Sequence, residues 1–330
     1  MHPQDWSGKM PEHLGNPLLE QRKLLAGEAY VERDDQNIVQ VSGEDAKSWL
    51  HSLLTQDILN LAEGESTEAL LLTPQGHIEQ QLKMVIAESG VLLIVDSTRA
   101  DALISWLEKM RFRSKVEVSK TSLKAFGLFV EFPGLLWRDS FSIPSTFSVS
   151  YNPNRPKFNY FELISEQAPN LEPAGLMALR ALRIAAGRPE ISDVDDKSLP
   201  HEFDWLQSAV HLSKGCYRGQ ESVSKIHNLG HPPRRLVILN LESGDDLPSR
   251  DDLVFYQDKL VGKVLSSALH YELGSVALAL VARNTPYLDL LVEIAGRKVS
   301  AHQQVLVPAD AGKAANLPRP SAFKLSGKRS

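Results

Sequence analysis

The spacing of apolar and polar positions changes period repeatedly along the chain, and each change marks an element. Asn16-Pro17 reads as an N-cap followed by proline at the first helical position, and Gly27 closes that helix. Residues 29–41 hold two short strand-like runs around Asp34-Asp35-Gln36-Asn37. Ser42 is the expected cap of a helix with Ala46, Trp49, Leu50, Leu53 and Leu54 on one face, a spacing that makes Trp49 core rather than a ligand stack. Runs 67–73 and 77–87 flank a Pro74-Gln75-Gly76 turn, and Ser89-Gly90 turns into 91–95. Ser97 is the expected cap of a helix whose Ala102, Leu103, Trp106, Leu107 and Met110 face inward.

Residues 115–170 give strands at 123–131 and 159–164, separated by a stretch rich in proline, serine and aromatics. Pro173 is expected to open a helix running through Leu176, Leu179, Leu182 and Ile184 to Gly187. The following Asp193, Asp195 and Asp196 lack the central glycine and terminal glutamate of a calcium loop, which predicts a solvated turn. From Arg234 onward, runs at 236–241, 253–256, 260–266, 275–282, 288–294 and 298–307 with short polar turns predict a small β-barrel. The order is α+β rather than regular βαβ, and no glycine-rich dinucleotide fingerprint follows a strand. This divides the chain into a loose leader (1–15), a two-lobed region (16–233, lobes about 16–114 and 115–233), a barrel (234–310) and a tail (311–330). The tail carries Lys313, Arg319, Lys324, Lys328 and Arg329 without apolar period and is expected to be disordered.

Composition narrows the function classes. A net charge of -5 over 330 residues gives no global basic field, so bulk nucleic-acid binding is not expected. The apolar run 276–281 suits a buried strand and is too short to span a bilayer. The first residues show neither an apolar core nor a basic leader, so a cytoplasmic location is expected. One cysteine excludes an intramolecular disulfide framework or a cysteine-held metal cluster built by this chain alone, and points to a reducing compartment. His227 and His231 lack the spacing of a structural zinc site, and no stably bound metal is expected.

That cysteine lies in Lys214-Gly215-Cys216-Tyr217-Arg218-Gly219-Gln220-Glu221. The glycines allow a tight turn, and the residues from Glu221 read as the first turns of a helix. Cys216 would then sit just ahead of a helix N-terminus with Lys214 and Arg218 beside it, and each feature favours the reactive thiolate. On residue types alone, a small core cysteine with accidental neighbours competes with this reading.

The octet resembles the K-G-C-Y-x-G-Q-E signature of the YgfZ family, folate-binding-fold proteins related to the T-protein (aminomethyltransferase) of the glycine cleavage system. The segments 48–57, 71–78, 181–187 and 199–202, and the barrel segments around Gly262 and Val276, are similar to that layout in the same order. The resemblance implies two ferredoxin-like lobes forming a folate-binding domain, closed by an antiparallel β-barrel, with a tetrahydrofolate in the central channel. It also implies assembly or repair of iron–sulfur clusters, with iron–sulfur client enzymes or assembly proteins as partners. Cys216 would be the reactive group, its pKa lowered by Lys214 and Arg218. Gly215 and Gly219 would shape the turn, and Tyr217, Gln220 and Glu221 would anchor the loop or contact a partner.

Two departures matter. The aspartate pair of aminomethyltransferases is replaced by Gln80-Gln81, and an amide cannot relay a proton, which argues against aminomethyl transfer. Ala185 stands where the T-protein has a pterin-binding glutamate; Glu202 is the candidate substitute, with a simple helix N-terminal charge as its alternative, and Arg234 and Arg235 are expected at the folate's glutamate tail. For Arg234 and Arg235 an interdomain salt bridge is the alternative. Folate-dependent one-carbon transfer and a folate-sensing module are the competing functions; in the latter Cys216 would be dispensable.

Overall fold

The protein was analysed as a computed structural model that describes residues 11–141, 148–152 and 155–314. Residues 1–10 of the expected leader and 315–330 of the expected tail lie outside the described residues. Helix α1 (Pro17–Leu25) starts at Asn16, whose side chain accepts from the Leu18 and Leu19 amides, as expected for this cap. Strand β1 (Ala29–Glu32) follows and belongs to the second of two sheets.

The first sheet contains β2 (Gln36–Ser42), β3 (Ser66–Leu72), β4 (Ile78–Ala87), β5 (Gly90–Asp96) and β6 (Glu117–Lys120), in the antiparallel order β3-β4-β5-β2-β6. Its apolar face meets α2 (Ala46–Leu53) and α3 (Ala100–Met110) through Val39, Val41, Leu50, Leu82, Met84, Leu93, Leu103 and Leu107. Trp49 joins that core and donates to the Met110 carbonyl. Neither serine caps these helices. Ser42 is still in register with Glu117 of β6, so Asp45 precedes α2, and Arg99 precedes α3. Ala102 is exposed rather than inward.

The second sheet has the order β10-β1-β7-β9-β8, from β7 (Lys124–Leu128), β8 (Leu135–Arg138), β9 (Phe161–Ser165) and β10 (Glu172–Ala174). Pro173 lies in β10, the edge strand beside Tyr30 of β1, where a missing N–H is tolerated. The helix expected there starts instead at Leu176, as α4 (Leu176–Ala185). The expected lobe boundary near residue 114 is also crossed twice: β1 pairs with β7 in the second sheet, and β6 pairs with β2 in the first. The described end of the leader is docked as well, with the Glu12 carbonyl accepting from Met177 and its carboxylate pairing with Arg180.

The C-terminal unit is a closed antiparallel barrel in the order β11-β14-β13-β12-β15-β16. Its strands are β11 (Arg234–Leu241), β12 (Leu253–Tyr256), β13 (Lys259–His270), β14 (Gly274–Ala282), β15 (Leu290–Ile294) and β16 (Arg297–Val305). Val237, Leu239, Ala277, Ala279 and Val281 fill the barrel, whereas Leu236, Ile238, Val276, Leu278 and Leu280 pack outward on Ile184, Phe203 and Trp205. Burial on both faces is why these strands read as continuous apolar runs instead of alternating. The α+β architecture with a C-terminal antiparallel barrel is as the sequence predicts. Among the described residues no helix is long and apolar enough to cross a membrane.

Candidate functional site

Cys216 is exposed on the loop that enters α5 (Gln220–Leu229). Glycine is required at 219: its φ is +83°, and a Cβ there would stand 2.5 Å from the Thr73 carbonyl oxygen in the β3–β4 turn. Gly76 faces it from that turn with φ +82°, and its own Cβ would stand 2.8 Å from Ser222 Cβ. Gly215, by contrast, has open space around it. The thiol loop is therefore seated on the Pro-x-Gly hairpin through two apposed glycines.

Two further ties hold it. The buried Lys214 ammonium donates to the carbonyls of Leu54 (2.6 Å), Gln56 (3.3 Å) and His51 at the end of α2, and burial pushes its pKa down to about 8. Arg218 pairs with Glu79 at 2.8 Å and lies 5.5 Å from the centre of the Trp106 ring. Both cations that the sequence reading sets beside the sulfur thus have partners of their own. Tyr217 is buried with Lys214 above its ring, Gln220 donates to the Lys214 carbonyl, and Glu221 is exposed.

Between the first sheet and α4 lies a cavity of about 240 Å³ whose wall includes Arg33, Gln81, Lys83, Leu179, Arg183 and Glu190. Gln81 and Lys83 alternate on β4 with the apolar Leu82 and Met84, so the polar face of this strand looks into the interior. Charges this deep are costly unless paired, and here they are paired. Glu162, fully buried, accepts from Arg33, Lys83 and the Tyr160 hydroxyl. Arg188 binds Glu68 and Asp139, and Arg183 binds Asp193 at 2.7 Å. Burial pushes the Glu190 carboxyl up, but Arg33 and Arg183 outweigh it and hold the group well below the usual carboxylate range. The Gln81 amide is fixed at both ends, donating to Glu68 (2.5 Å) and accepting from the Ile191 amide (2.8 Å). A sequence signal for this cluster exists in retrospect: Glu68 directly precedes Ala69-Leu70-Leu71-Leu72, Lys83 lies between Leu82 and Met84, and Glu162 lies between Phe161 and Leu163.

Glu202, Arg234 and Arg235 are not part of that cavity wall. Glu202 is fully buried, with both oxygens accepting from Arg234 and one also from the Leu199 amide. Arg234 also grips Asp195 at 2.7 Å, tying β11 to the preceding loop. Arg235 is buried against the Thr285 carbonyl and Gln303. The aspartates expected in a solvated turn are engaged too: Asp193 is buried on Arg183 and Asp195 is held by Arg234, leaving Asp196 exposed. Ala185 lines a separate cavity of about 310 Å³ with Phe129, Phe158, His270 and Tyr271. Among the described residues no group of three or more His, Cys, Asp or Glu is placed to hold a metal ion.

No family profile matches the chain. It is 26% identical over 109 residues to an aminomethyltransferase of Chromobacterium violaceum, covering 32% of this chain and 30% of that one. It is 24% identical over 227 residues to a mitochondrial iron–sulfur cluster assembly factor homologue of Mycosarcoma maydis, covering 62% and 55%. A chloroplast protein of Arabidopsis thaliana named as a candidate transferase shares 26% identity over 264 residues, 69% of this chain and 59% of that one. The chain thus spans less than two thirds of the length of these relatives. In three dimensions it resembles the crystal structure of the glycine cleavage system aminomethyltransferase T of Bartonella henselae, with a TM-score of 0.69 and 19% identity over 90% of this chain and 91% of that one. The fold is that of the glycine cleavage T-protein.

Proposed function

We propose that this chain binds a reduced folate in the cavity between its first sheet and α4 and assists assembly or repair of iron–sulfur clusters in other proteins through Cys216. The observation that carries the reading is the presentation of the thiol. Cys216 is exposed on a loop seated on the β3–β4 turn and tied to α2 and α3 by Lys214 and Arg218. The likeness to an iron–sulfur assembly factor supports the same reading. One thiol, on losing its proton to solvent, can replace a ligand on iron without electron transfer, the displaced ligand leaving to solvent, but cannot hold a cluster alone. The remaining donors then come from a partner, in a reducing compartment.

The cavity suits a pterin in its chemistry. Leu176, Leu179, Ile94 and Ile191 offer apolar walls to a flat ring, and Glu190 offers a carboxylate to the two parallel donors of an amino-pyrimidine edge. At about 240 Å³ the space is just under the usual ligand-pocket range, enough for the ring head. Bound there, the folate would supply an electron-rich amine. Gln81, locked between Glu68 and Ile191, gives that amine no carboxylate, which supports a role other than aminomethyl transfer.

Anaerobic titration with tetrahydrofolate tests the binding half. Saturable binding is expected, weakened at least about tenfold by Glu190→Gln in a variant that keeps its melting temperature. A wild-type protein that fails to bind, or a variant that binds equally well, contradicts the assignment.

A further inference from the structure

We infer that the loop after α3, together with the adjoining face of the thiol loop, is a docking surface for an acidic segment of a partner protein. Phe112 is 82% exposed and holds a φ of +43°, a conformation that bulky residues rarely adopt. Among the described residues, packing gives no reason for either feature. Nor is the loop loose. The Met110 carbonyl accepts from Trp49, the Arg111 carbonyl accepts from Ser114, and the Lys115 amide donates to Asp45 at 2.7 Å. Gly43 closes on it so tightly that a Cβ would stand 2.1 Å from the Lys115 carbonyl oxygen. Phe112 is held out from an anchored base.

Cations bracket it. Lys109, Arg111 and Arg113 are exposed, and among the described residues none has a carboxylate within ion-pair distance, whereas Lys115 is paired with Glu44. On a chain of net charge -5 this is a local concentration of free positive charge. The patch is continuous with the thiol loop: Trp106, one turn before Met110, carries Arg218, two residues from Cys216. From Trp106 to the end of α3 at Met110, two residues before Phe112, the helical rise is only roughly 6 Å.

An exposed aromatic flanked by arginines has the composition of an interface anchor, and its complement is an acidic segment with an apolar recess or side chain. Nucleic acid fits less well, because it requires a longer track of cations and successive stacking rings. The identification of the visitor as the protein that exchanges a cluster with Cys216 rests on the function proposed above; the docking surface itself does not.

The probe is a short fluorescein-labelled peptide of repeated Glu-Glu-Leu, followed by fluorescence anisotropy at low ionic strength. Saturable binding to the full chain is expected. Phe112→Ser and Arg113→Glu should each weaken it at least about fivefold, and Lys259→Glu, an equal charge change on the barrel, should alter it by less than about twofold. Phe112→Ser should melt no lower than wild type, since a structural role would lower the melting temperature. Binding by Cys216→Ala should match wild type, which separates this surface from the thiol's chemistry. No binding by wild type, equal binding by all surface variants, a lowered melting temperature for Phe112→Ser, or displacement by a short RNA at equal concentration would each overturn the proposal.

Discussion

At the scale of single residues, the side chains around the thiol act as structural ties. Lys214 supplies donors to carbonyls that α2 leaves open at its C-terminus, the end of a helix that favours a cation. His201, fully buried under α5, is the residue with the clearest pH signature: burial, and then nearby His227, push its pKa down from 6.5 to about 3. The unfolded chain therefore binds more protons than the folded one between those values. Stability is complete above about pH 6.5 and falls as pH drops toward 3, by on the order of 4 kcal/mol from this group. Urea unfolding across that range should show His201→Phe losing much of the acid slope; an unchanged slope would mean that His201 does not titrate as its burial demands. The octet itself was legible in the sequence. Its ties were not, because Glu79 lies 139 positions from Arg218, and Leu54 lies 160 from Lys214.

At the scale of elements, the two glycines of the octet should behave differently. Gly219→Ala meets a positive φ and the Thr73 carbonyl together, and is expected to cost about 2–4 kcal/mol. Gly215→Ala enters open space and should stay within about 0.5 kcal/mol. Chemical denaturation of the two variants checks this; equal costs would show that the loop is not seated on the β3–β4 turn as described. Hairpins and helix faces were readable because period and turn residues are local. Caps were read less well: Ser42 has the right chemistry for an N-cap, but pairing with β6 keeps it in a strand. Pro173 has the right chemistry for a first helical turn, but a parallel partner in β1 keeps it at a sheet edge.

At the scale of the molecule, the exchange of β1 and β6 between sheets interlocks the two lobes and encloses a layer of paired charges. No local pattern specifies which distant strand completes a sheet, so the α+β class and the barrel were legible while the strand exchange was not. The charged cavity was missed for a related reason: Lys83 and Glu162 are 79 positions apart in sequence and acquire meaning only when the sheets face each other. The cavity and the thiol loop meet through β4, which carries Gln81 and Lys83 to the one and Glu79 to the other. The proposed function requires that this fold present Cys216 for chemistry on clusters. The most direct measurement replaces the native gene by Cys216→Ala and assays the specific activities of several iron–sulfur enzymes, with circular dichroism confirming that the variant is folded. A folded variant is expected to leave those activities as low as deletion does. Full restoration by the alanine variant would contradict it, and would leave folate binding or partner docking as the function of the chain.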